Sequence, residues 1–84
     1  MLSNDELSDG MPFILNLSEP DGTPRQWIET LRGETARRWY DLYRTSDWQA
    51  VRAAAPDVFH HDATADELEV LRKSRRRCIF IRMR

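Results

Sequence analysis

The residues able to do chemistry fall in three places. His60 and His61 lie between Asp57 and Asp62, Cys78 stands alone, and Arg72, Lys73, Arg75, Arg76 and Arg77 crowd one short segment. A bound metal needs ligands brought together at defined spacings. Adjacent histidines in an extended loop point to opposite sides, and no CxxC, HxxxH or HExxH spacing accompanies them. The simpler reading is a polar loop in which Asp62 or Thr64 caps a following helix, so no metal is expected. Nucleophilic catalysis would need Cys78 beside a histidine and a carboxylate. Cys78 instead sits within an alternating apolar run, where a cysteine behaves as a small hydrophobe. The glycines stand apart at 10, 22 and 33, which leaves no phosphate-cradling loop. No enzymatic activity, catalytic residue or cofactor is expected.

The basic segment is the most pointed feature. With Arg82 and Arg84 it gives residues 72–84 seven basic groups and no acidic one, whereas residues 1–22 carry five acidic groups and no basic one. Guanidinium groups suit planar recognition of carboxylate or phosphate, and Phe80 could stack on a base. Against a dedicated nucleic-acid binder stand the net charge of −1 and an isoelectric point near 6.1, since such proteins usually carry a clear basic excess. Twelve of the thirteen basic residues are arginine, a preference that coding bias explains without any function.

These residues must be positioned by one domain, because 84 residues are too few for two. The organising stretch is TPRQWIETLRGETARRWYDLYR. Thr23 suits an N-cap and Pro24 the first helical position, and stepping at about 100° per residue gathers Trp27, Ile28, Leu31, Trp39, Leu42 and Tyr43 into one arc. One amphipathic helix over 24–44 is expected, with Gly33 tolerated on its polar side; a break at Gly33 into two short helices is the rival reading. Tyr40 falls outside the arc, beside Arg37 and Arg44, which is the composition of a protein-contact patch.

Residues 1–10 form an acidic, flexible arm with at most one turn of helix. MPFILNL at 11–17 alternates as a strand, although Pro12 does not suit a central strand position unless its missing donor points outward. Ser46 with Gln49 has capping-box spacing ahead of a short helix over 47–54, ending before Pro56. Thr64 with Glu67 repeats that spacing ahead of a helix over 65–74, and the closing run over 77–83 alternates as a second strand. The expected fold is a small α+β domain, β-α-α-α-β, with its terminal strands paired in one sheet. Such a ribbon leaves Ile14, Cys78 and Phe80 on a second face that needs cover from a short helix, a second copy of the chain or a partner adding a strand.

The function expected is that of a non-enzymatic macromolecule-binding protein, a regulator, inhibitor or adaptor that engages another protein through its sheet edge and basic C-terminal segment. A nucleic-acid-binding regulator is the alternative, and a homodimer is a further means of covering the sheet. The partner-binding set is Arg72, Arg75, Arg76, Arg77, Phe80, Arg82, Arg37, Tyr40 and Arg44. A single cysteine, no charged-then-apolar leader and no membrane-spanning run point to the cytoplasm rather than a membrane. The nucleic-acid alternative carries its own test. Affinity for a random duplex should fall steeply between low and moderate salt, and replacing Arg72, Arg75, Arg76 and Arg77 with alanine should abolish it; no binding at low salt removes that alternative.

Overall fold

The computed structural model describes residues 2–18, 21–74 and 77–82. In chain order these form α1 (Asn4–Asp9), β1 (Met11–Ser18), β2 (Pro24–Leu31), α2 (Gly33–Thr45), α3 (Trp48–Val58), α4 (Ala65–Lys73) and β3 (Ile79–Arg82). The class is α+β, and the two strands read from the sequence do pair. They run parallel, in a register from Phe13 opposite Ile79 to Asn16 opposite Arg82. On its other side β1 pairs antiparallel with β2, giving a three-stranded sheet of order β2-β1-β3.

β2 corrects the expectation of a single helix over 24–44. The turn before it reverses the chain: Asp21 accepts a hydrogen bond from the Thr23 N–H at 2.9 Å, and Pro24 enters a strand opposite Ser18. Trp27 and Leu31 then share the core face with Glu29, between them, while Ile28 lies on the other side. Pairing with β1 satisfies this backbone without a helix. Gly33, read as an interior glycine, is instead the first residue of α2 at φ 57°. That left-handed conformation, easy only for glycine, turns the chain from strand into helix.

Residues of the expected acidic arm form α1, longer than one turn and closed by a capping box between Ser3 and Glu6. Gly10 follows at φ 99°, where a Cβ would meet Thr30 Cγ2 at 2.5 Å. α3 begins from Asp47, which accepts from the Ala50 N–H, so Asp47 rather than Ser46 is the cap. It also runs through Pro56 to Val58 instead of stopping near residue 54. Proline removes one helical hydrogen bond there, and the Phe59 N–H closes the end on the Ala55 carbonyl at 2.8 Å. α4 carries the capping box expected between Thr64 and Glu67.

β1 is buried from Met11 to Leu15 without interruption. Phe13 and Leu15 face the main core, where α2 contributes Ala36 and Trp39, α3 contributes Val51 and Ala55, and Phe59 meets Trp39 edge-on with ring centroids 5.0 Å apart. Ile14 faces the opposite way, between Ile28 and Phe80, and is still 0% exposed. On this face α4 places Val70 and Leu71 beside Ile28, where they line a shallow groove with Asp66 and Glu67, and Val70 is itself exposed. The second face is thus closed at Ile14, while Phe80 and Val70 remain exposed.

Pro12 is accommodated by register. Ile28 donates its N–H outward, to the His61 carbonyl, so Ile14 opposite it and Pro12 two residues earlier turn their backbone groups away from β2. On that side pairing with β3 starts only at Phe13, and the missing donor breaks no rung. Because Ile14 is fully buried, Ile14→Ala should cost about 2–5 kcal/mol, a large part of the total for a small domain. A urea-unfolding midpoint within error of wild type would contradict this placement.

Candidate protein-interaction surface

The two edges of the sheet are finished differently. Outside β2, the loop after α3 acts as a short extra rung: Trp27 bridges Asp62, Ile28 donates to His61, and the Ala63 N–H donates to the Gln26 carbonyl at 2.9 Å. Side chains pin the same loop. Arg25 pairs with Asp62 at 2.9 Å while its guanidinium lies 4.7 Å from the Trp27 ring, and Glu29 accepts from the His60 N–H at 3.2 Å. The His60 ring donates from Nε2 to the Asp57 carbonyl, and His61 Nε2 lies 3.0 Å from Glu67 Oε2. Both histidines therefore serve the joint between β2 and α4.

Outside β3, no described strand or bridge adds a rung. The hairpin register that turns Ile14 toward β3 also fixes which of that strand's backbone groups face inward. Ile79 and Ile81 bond toward β1, and Phe80 and Arg82 turn N–H and C=O to the open side. Phe80 is 47% exposed on the second face, at the end of the row Ile28–Ile14–Phe80. Arg82 follows on the same face in the row Gln26–Asn16–Arg82. An apolar side chain, a cationic one and backbone groups without a partner among the described residues thus coincide on four residues.

The remaining expected residues divide into separate groups. Arg37, Tyr40 and Arg44 come together in a groove of about 340 Å³ with Leu2, Asn4 and Asp41. Tyr40 is not exposed as expected: it is half-buried against the core, and the Arg77 guanidinium lies 5.8 Å from its ring. Tyr43, assigned to the buried arc, is instead exposed. The arc has rotated toward Ala36, Trp39 and Tyr40 because Trp27, Ile28 and Leu31, which set its phase, belong to a strand. Arg37 pairs with Glu34 at 3.4 Å and Arg44 with Asp41 at 3.9 Å. Arg72 is held by Glu69 at 2.8 Å at the end of α4. Arg75 and Arg76 lie outside the described residues.

Arg77 joins the oppositely charged ends of the chain, with its Nε 3.2 Å from Glu6 Oε2. The Glu6 carboxyl is held below its ordinary range, chiefly because the Ser3 N–H donates to it and also because Arg77 is near. Glu67 is lowered in the same way by the Thr64 N–H, with the Thr64 hydroxyl and His61 assisting. Sequence reasoning missed Glu6 and Glu29 as structural anchors and read Asp62 only as a candidate helix cap, a role that Thr64 fills while Asp62 pairs with Arg25; the capping-box spacing of Ser3 with Glu6 could have pointed to Glu6. Among the described residues no group of His, Cys, Asp and Glu could hold a metal ion, and no helix is long and apolar enough to cross a membrane.

Compared with protein-family models, curated proteins and solved structures, the chain matches none.

Depressed carboxyl values give a definite pH dependence. The unfolded chain takes up protons first, near the ordinary glutamate value of about 4.3, so stability from Glu6 and Glu67 is complete above it and is lost as pH falls through their lower folded values. Urea midpoints should decline on acidification below about pH 5. Glu6→Gln should flatten that decline and cost no more than about 1 kcal/mol at neutral pH, since the ion pair is largely solvated. An unchanged acid limb would show that Glu6 carries no part of it.

Proposed function

We propose that this chain is a non-enzymatic protein-binding regulator, of the inhibitor or adaptor kind, that acts in the cytoplasm and engages its partner at the open edge of β3 and the basic segment around it. The observation carrying this reading is Phe80, whose exposed ring and outward backbone groups stand together on an edge that no described strand pairs. Natural sheets usually shield such edges, and here the opposite edge is shielded by several separate contacts. An extended segment of another protein would complete the ladder and cover the ring.

Charge favours a different protein over a second copy. Two β3 edges meeting would bring two arginine-rich segments together, and like charges across a strand pair are destabilising. The groove holding Arg37, Tyr40 and Arg44 provides a second contact area for the same partner. The nucleic-acid alternative rests on arginine density, but the Arg72 and Arg77 guanidiniums already lie against carboxylates.

Affinity capture from a nuclease-treated extract of the native host tests the proposal, comparing wild type with Phe80→Asp. A protein should be retained by wild type and lost from the variant, with circular dichroism showing both chains folded. Retention by both alike, or material that disappears with nuclease treatment, would refute it.

A further inference from the structure

The rows of side chains across the sheet specify what an added strand must carry. On the second face the apolar row Ile28–Ile14–Phe80 lies beside the polar row Gln26–Asn16–Arg82. A strand joining β3 would extend both rows. Its residue beside Phe80 meets an exposed aromatic ring, and its residue two positions along meets a guanidinium, because side chains on one face recur every second residue. On the other face it would continue the rows of Ile79 and Ile81, both buried in the main core, where small or apolar residues fit.

Charge selects among such segments. Residues 72–84 contain no acidic group, and among the described residues no carboxylate pairs with Arg82. We infer that the occupant of the β3 edge is an acidic, extended segment of a partner protein, with an apolar residue beside Phe80 and a carboxylate beside Arg82, separated by one residue. This assignment rests on the protein-binding function proposed above and names the chemistry of the partner. A second copy of the chain does not meet the requirement, because its own edge would place cations where carboxylates are needed.

The test uses the full chain and three fluorescein-labelled nine-residue peptides, read by fluorescence anisotropy. In the first peptide every second residue is threonine and those between alternate phenylalanine with glutamate; the second replaces glutamate with lysine; the third repeats the first with alternate backbone amides N-methylated. The glutamate peptide should bind at least tenfold more tightly than the lysine peptide, Arg82→Glu should reverse that order, and N-methylation should abolish binding. The Arg82 side chain is exposed, and circular dichroism confirms that the variant folds. Equal affinity for the two charges overturns the acidic assignment, and undiminished binding of the N-methylated peptide overturns strand addition. If no peptide binds while Phe80-dependent capture of a host protein persists, this inference fails alone; if both are absent, the proposed function fails with it. A dimer in sedimentation that Phe80→Asp dissociates assigns the edge to a second copy and also overturns the inference.

Discussion

A strand hydrogen-bonded on both edges and packed on both faces constrains this molecule more than any other element. β1 is flanked by β2 and β3 and buried from Met11 to Leu15, so each side chain in that stretch must be compatible with an interior. Phe13 and Leu15 require the layer formed by α2 and α3, and Ile14, on the opposite face, is equally closed off from solvent. Even Pro12 fits only because its vacant donor position falls beyond the start of β3. A short domain can cover both faces of a sheet only if the sheet is narrow, and three strands match the helical surface available.

The same narrowness makes the edges a large part of the design. β2 is closed by a loop stitched through backbone and side chain, so His60, His61 and Asp62, which resemble ligands in the bare sequence, work as fasteners. The charged termini act likewise. Their opposite signs are partly reconciled within the molecule, where Arg77 reaches Glu6 and lies over Tyr40. At β3 an exposed ring and a cation stand on consecutive positions of one face.

How much of this was readable depended on whether a local signal agreed with the tertiary environment. Thr64 with Glu67 marked the start of α4 because a capping box is satisfied within one turn. β1 and β3 were readable because their alternation is nearly unbroken. β2 was not, since Glu29 occupies a core-facing position that a strand pattern would fill with an apolar residue, while Trp27, Ile28 and Leu31 also fit a helical stripe. The structure accommodates that carboxylate through the His60 N–H, a contact from a distant loop that no local reading can anticipate. Misreading β2 shifted the phase assigned to α2 and so exchanged the environments of Tyr40 and Tyr43. The Phe80 position survived the error because it depends only on a period of two within β3.

The parallel pairing of β1 with β3 also has a temporal consequence. β1 and β2 adjoin in sequence and can close as a hairpin with a modest loss of chain entropy, whereas β3 must cross nearly the whole described chain to reach the other side of β1. The last rung therefore forms late. Until it does, the most apolar strand of the protein has one edge bare, and any extended chain that arrives first competes for it. The short strand at the rim thus governs a period of vulnerability during folding, as well as the surface that remains when folding is complete.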